Sequence, residues 1–312
     1  MTSIPPAADG AAAHVRSPSS PTPPRTGRDA WRPWTAWVTL VTGFGIAIFG
    51  GSIIAIVVNA ATGDSLSNPP SGVTLGGTFF QDLALIGASL LFAQFAGRPT
   101  PADFGLRLPG ADLAADDGPA RRTALKRAIG LLLGVWLSFY VFSGIWVALL
   151  SLHQRQQLPD ELGINGAAIN LVLAVFLVTV IAPLGEEILF RGYFFAALRN
   201  WRGFWPAAII TGLVFGAVHI GSSPIGFTVP LAFFGFGLCL LYQRTGSLYA
   251  TIALHALNNS VALGLSQKWL LWQVVVVLIG SVLAALGIAR LLARVLAQRA
   301  ASGVPPLAQP AR

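Results

Sequence analysis

Apolar residues fall along the chain in eight runs, at about 35–60, 73–97, 128–151, 167–190, 204–220, 227–243, 247–266 and 269–292, separated by segments of charged, Pro or Gly residues. An α-helix needs roughly 20 such residues to cross the hydrocarbon core of a bilayer. Inside that core only helices and closed barrels satisfy every backbone N–H and C=O. The pattern therefore predicts an all-α, polytopic membrane bundle of about eight transmembrane helices, filling residues 33–298. Residues 1–32, rich in Pro, Ala, Ser and Arg and lacking an apolar stretch, read as a disordered tail and not as a signal peptide. Residues 299–312 form a second, short tail.

Composition points the same way. Of 312 residues, 54% are apolar and 10% charged, with a mean hydropathy of +0.68; a soluble protein carries roughly 25% charged residues. The net charge of +8 arises from 20 basic against 12 acidic side chains. The basic residues are nearly all Arg, and they sit between the apolar runs, where they orient a membrane protein; this placement argues against nucleic-acid binding. Arg16, Arg25, Arg28 and Arg32 precede the first run. Arg98, Arg107, Arg121, Arg122, Lys126 and Arg127 follow the second, Arg199 and Arg202 the fourth, Arg244 the sixth, and Arg294 and Arg299 the eighth. The alternate loops hold little basic charge, so both termini are expected in the cytoplasm and the segment 98–127 in a cytoplasmic loop. The single cysteine, Cys239, rules out an intrachain disulfide and reads as a small core residue.

The fourth run continues without a clear stop from Ala167 to Arg199 and contains Pro183 and Gly185, which predicts a long, kinked helix. No internal repeat is evident, which argues against an inverted-repeat transporter.

The informative residues are the polar ones that interrupt the apolar runs. Two of three glutamates are adjacent in Pro183-Leu-Gly-Glu186-Glu187-Ile-Leu-Phe-Arg191. A charge at the centre of a membrane helix costs ~2.5–3.5 kcal/mol on insertion scales, so each needs a reason. Glu187 and Arg191 share a helix face and are expected to pair. Glu186 points about 100° away and has no such neighbour, which leaves it the more available carboxylate. Of four histidines, His14 lies in the tail and His153 in an outer loop, leaving His219 and His255 within spans. Phe215 is one turn before His219, and Asn259 one turn after His255. At 1.5 Å per residue the three groups lie at comparable depths, about 20 Å for Glu186, 24 Å for His219 and 13 Å for His255. Gln81 and Asp82 are a further polar intrusion, with Arg191 as a candidate partner for Asp82. Tyr193, Phe194 and Phe195, with Trp201 and Trp205, read as lipid-facing or interfacial.

Such a set suits hydrolysis. Glu186 could take a proton from water, His219 could orient that water, and His255 and Asn259 could support an oxyanion. Alternatively Glu186, His219 and His255 could bind zinc with an open fourth position. The two versions use the same residues. No Gly-x-Ser-x-Gly elbow, His-Glu-x-x-His helix or Walker loop is present. Carboxylates and histidines in membranes also relay protons, so a proton-coupled transporter stands as an alternative, as does a non-enzymatic binding protein.

At these residues the sequence resembles the CPBP family of intramembrane proteases, which joins the type II CAAX prenyl endopeptidases with the bacterial Abi proteins. The family pattern is Glu-Glu-x-x-x-Arg, then Phe-x-x-x-His, then His-x-x-x-Asn or Asp. Here it is met by Glu186, Glu187 and Arg191, by Phe215 and His219, and by His255 and Asn259. The resemblance covers about 163–266. It implies an eight-helix membrane endopeptidase acting on membrane-associated protein or peptide substrates, with Glu186 and His219 activating water and His255 and Asn259 supporting the oxyanion. Members are commonly called metalloproteases, and a glutamate mechanism without a metal has also been argued, so zinc on Glu186, His219 and His255 and a metal-free route both remain. The Arg- and Ala-rich style suggests a bacterial inner-membrane protein, and bacterial relatives are also linked to bacteriocin self-immunity.

Overall fold

The computed structural model describes residues 27–63, 70–114, 116–152 and 162–302. His14, His153 and several loop charges used above for orientation lie outside these residues. The described chain forms eight long helices and no named strand. They are α1 (Pro33–Thr62), α2 (Ser71–Gln94), α3 (Gly118–Leu150), α4 (Ala168–Arg202), α5 (Phe204–Ala217), α6 (Thr228–Thr245), α7 (Leu248–Ser266) and α8 (Leu271–Ala301). Among the described residues six helices are long and apolar enough to cross a membrane. The two that fall short are α5, with 14 residues, and α7, whose sequence holds His255, Asn258 and Asn259. The chain is an all-α, polytopic membrane bundle.

Local chemistry sets the helix ends. Pro33 opens α1 where its missing N–H costs nothing, and Asp117 caps α3 by accepting from the Ala120 N–H at 2.9 Å. Gly246 ends α6 in the left-handed region, φ 60°, its N–H donating to Tyr242 O. Two helices overrun the apolar pattern. α3 begins at Gly118 and so includes Arg121, Arg122, Lys126 and Arg127, and α8 reaches Ala301 past Arg290, Arg294 and Arg299. Arg and Lys are good helix formers, so a helix continues past the point where its side chains cease to be apolar.

The central element is α4, which packs against α1, α2, α5, α6, α7 and α8. It is 35 residues long and runs unbroken through Pro183. Two π-helical stretches, Leu177–Ile181 and Ile188–Phe195, flank the segment Ala182–Glu187. Pro183 has no N–H to give to the helix, and the turns that flank its segment are widened, as often at functional positions in helices. α4 exposes Ile169, Val172 and Phe176 near its start but is enclosed farther along, where it buries Tyr193, Phe194 and Phe195 completely, contrary to the lipid-facing expectation. The Tyr193 hydroxyl donates to Thr35 Oγ1 of α1 at 2.9 Å. Of that aromatic group, Trp201 and Trp205, at and beyond the end of α4, are exposed. Opposite the first π stretch, the hydroxyls of Thr179 and Ser281 of α8 meet at 2.6 Å.

The α5–α6 pair is held close by glycines. A Cβ on Gly212 would stand 2.7 Å from Ala232 O, and one on Gly235 would stand 2.8 Å from Phe215 Cβ. Small residues that let backbones approach are the usual glue between membrane helices, where water supplies no hydrophobic drive.

Residues 27–32, ahead of the boundary drawn at Arg32, are already part of the fold. Gly27–Ala30 form a 3-10 turn, and Trp31 is buried, its ring 5.3 Å from Phe104 and 4.6 Å from Tyr193. Asp103 accepts from the Arg28 and Thr100 N–H groups, and Asn200 donates to Arg28 O. The reason is the buried Trp31 itself, an anchor inside what composition alone marks as tail. The segment between α2 and α3 forms no further span and docks on the α6–α7 turn. There Gly105 O accepts from Leu248 N at 2.7 Å, and Arg107 Nε donates to Gly246 O at 3.1 Å.

Candidate active site

The three polar constellations meet. Glu186 and Glu187 come from the α-helical segment between the π stretches of α4, His219 from the turn just after α5, and His255 and Asn259 from α7. His219 lies two residues past the last residue of α5, not within a span. Its backbone N–H still donates to Gly216 O at 3.3 Å, which holds the turn on the helix end.

Glu187 is the buried hub. Its Oε1 accepts from Arg191 Nη1 at 2.8 Å and from His255 Nδ1 at 2.9 Å, with Glu187 and Arg191 wholly enclosed. The pair expected from the four-residue spacing therefore forms and has a third member. Arg191 also donates to Gly235 O at 2.9 Å and stands over the Phe215 ring at 4.5 Å. These contacts pair a cation that is wholly buried, although Arg191 Nε and Glu187 Oε2 are left without a hydrogen-bond partner. They also exclude the partnership suggested for Asp82: Arg191 is directed to α6, away from α2, and neither Asp82 oxygen has a hydrogen-bond partner.

Among the described residues Glu186 has no ion pair with Arg or Lys and faces two imidazoles. His219 Nε2 is 3.8 Å and His255 Nε2 3.9 Å from Glu186 Oε2, an oxygen that is buried and without a hydrogen-bond partner. Both rings are oriented through their other nitrogen. His219 Nδ1 lies 2.7 Å from Phe215 O, and since a carbonyl only accepts, Nδ1 carries the hydrogen and the neutral ring offers a lone pair at Nε2. His255 Nδ1 is fixed on Glu187. The ring of Phe215 packs 4.8 Å from His219 and 5.8 Å from His255, and Phe234 stands 5.7 Å from His255.

Asn259 donates to Val178 O at 2.9 Å, on the first π stretch of α4, and its Oδ1 accepts from Asn258 at 3.3 Å. Altered turns release a carbonyl there, and Asn259 supplies its donor. A cavity of about 440 Å³ reaches Glu186, His219, His255, Asn258 and Asn259, with Gln81 and Asp82 of α2 on its wall. Among the described residues no three His, Cys, Asp or Glu side chains are placed to hold a metal ion. The oxygen and two nitrogens of Glu186, His219 and His255 have the chemistry of a zinc set, yet as placed they stand more open than ligands sharing one ion.

Sequence reasoning missed the Val178 and Gly235 carbonyls and Phe234. The first two are backbone groups and leave no mark on residue type, apart from the glycines that allow α5 and α6 to approach.

Residues 168–261 match the family described as Rce1-like, type II CAAX prenyl endopeptidase. The chain is also 30% identical over 88 residues to "Putative membrane peptidase YdiL" of Bacillus subtilis, a match covering 28% of this chain and 35% of that protein. No solved structure matches. The match thus spans about a third of the relative's length. Glu186, Glu187, Arg191, His219, His255 and Asn259 all fall within 168–261, the part of the chain that matches the type II CAAX prenyl endopeptidase family.

Proposed function

We propose that the protein is a membrane endopeptidase of the CAAX-protease kind, hydrolysing peptide bonds of membrane-associated substrates with a water activated by Glu186. The observation that carries this reading is the unpartnered Glu186 oxygen facing two imidazole Nε2 atoms across a cavity. Glu186 Oε2 and His219 Nε2, 3.8 Å apart, are close enough for one water to bridge them. Glu186 then takes the proton as the water oxygen attacks the scissile carbonyl, and His219 fixes the direction of attack. His255, with Nδ1–H held by Glu187, serves the oxyanion when its Nε2 carries a proton, and Asn259, on the wall of the same cavity, supports it. Glu187 and Arg191 act through His255 as its anchor. No step is routed through zinc, because the three donors are too open as placed; closing on an ion would require them to converge.

The placement of Arg along the chain supports a membrane protein with both termini in the cytoplasm, and its Arg- and Ala-rich composition a bacterial inner-membrane origin. The test compares membrane-proteome termini from cells expressing wild type with those expressing Glu186→Gln at equal membrane abundance. New ends found only with wild type are expected and would name the substrate. Identical termini would refute hydrolysis and turn attention to binding or proton-coupled transport.

A further inference from the structure

Peptide hydrolysis moves two protons: one leaves the attacking water, and one must reach the departing nitrogen, because an amide anion is a very poor leaving group. In the reading above Glu186 accounts for the first. The wall of the same cavity holds a second acidic residue that has no part in that reading. Asp82 of α2 is packed on the backbone of α4 beside Glu186: a Cβ built on Gly185 would stand 3.1 Å from Asp82 Cβ and 3.1 Å from its carbonyl oxygen. Asp82 is wholly buried, it shares the cavity wall with Glu186, His219 and His255, and both its carboxyl oxygens lack a hydrogen-bond partner. No ion pair among the described residues includes it. A buried carboxyl with neither donor nor cation has no means of supporting a charge, whereas the neutral acid brings a donor of its own.

We propose that Asp82 is a second catalytic residue, the general acid that gives its proton to the departing amine nitrogen. This rests on the hydrolysis reading and completes its proton traffic. The water O–H bond breaks toward Glu186 while a C–O bond forms at the scissile carbonyl. The C–N bond then breaks as an N–H bond forms with the proton of Asp82. The products are a carboxylic acid and a neutral amine, with Glu186 protonated and Asp82 ionised. Return of that proton from Glu186 to Asp82 through cavity water restores the site, and no co-reactant is consumed.

The experiment uses the purified full chain with two probes, an S-farnesyl-cysteinyl tetrapeptide and its analogue bearing a thioester at the scissile link. A thiolate leaves without a proton, an amine does not. For Asp82→Asn, kcat on the peptide is expected to fall by about 100-fold or more with KM unchanged, while thioester cleavage stays near the wild-type rate. Glu186→Gln is expected to lose both. Taking the thioester-to-peptide ratio within one preparation cancels any difference in folded fraction. Asp82→Asn cleaving the peptide as wild type does would overturn the proposal, and so would equal loss on both probes, which would reduce Asp82 to packing. Wild type cleaving neither probe, or Glu186→Gln cleaving both, is instead the failure of the hydrolysis reading, and the inference falls with it.

Discussion

Replacing Arg191 alone is expected to damage the fold more than replacing Arg191 and Glu187 together. Arg191→Met keeps the length of the side chain and removes its charge. It leaves Glu187 enclosed with only His255 on the shared oxygen, and it strips Gly235 O of its donor. Breaking a buried ion pair from one side costs about 3–5 kcal/mol, mostly because the remaining charge is uncompensated. In the double substitution Arg191→Met with Glu187→Gln that charge is gone, and the carboxamide oxygen still accepts from His255 Nδ1. What remains lost is the bond to Gly235 O and the stacking on Phe215, together about 1–3 kcal/mol. The double variant should therefore be about 2 kcal/mol more stable than the single one. Equilibrium unfolding in mixed detergent micelles, followed by tryptophan fluorescence, measures the difference. A double variant no more stable than Arg191→Met would refute the view that Glu187 is held ionised by Arg191.

Gly216→Ala places a methyl group against the backbone of Thr228 and 2.8 Å from Ala232 Cβ, so α5 must move off α6, at a cost of about 1–3 kcal/mol, and carry His219 with it; thermal unfolding and turnover should both fall. Asn259→Ala leaves Val178 O without its donor and should cost about 1–3 kcal/mol, so unchanged stability would show that the bond to the π stretch carries no weight. Dialysis of the purified chain against a chelator should leave turnover intact under the Glu186 route; loss of activity restored by added zinc would transfer water activation to a metal on Glu186, His219 and His255.

Much of this was legible in the sequence because a bilayer makes it so. Runs of about 20 apolar residues admit little besides a helix, and any carboxylate or imidazole inside them stands out against its surroundings. Glu186, His219 and His255 were found on that ground, and the four-residue spacing foretold the contact of Glu187 with Arg191. Hydropathy could not show which helix lies at the centre. Tyr193, Phe194 and Phe195 have the composition of lipid-facing residues and are buried because this part of α4 is surrounded. Nor could residue types reveal the two π stretches, the bond from Asn259 to a carbonyl they release, or the placing of Arg191 toward α6 and away from Asp82. These depend on backbone groups and on which helices are neighbours, neither of which a one-dimensional pattern carries.

The two histidines differ in how their orientation can be lost. His219 is aimed by the carbonyl of Phe215, a group every amino acid possesses, so no exchange of side chain at position 215 deletes that acceptor. His255 is aimed by the carboxylate of Glu187, which a single codon change removes. Genetic drift can therefore disarm the second imidazole by substitutions elsewhere in the gene, through Glu187 directly or through Arg191, whereas the first is exposed chiefly to changes at its own position or in the α5–α6 backbone contact. In a saturation-mutagenesis map of activity, intolerant positions should accordingly spread across α4 around the His255 anchor and stay concentrated at the end of α5 around His219.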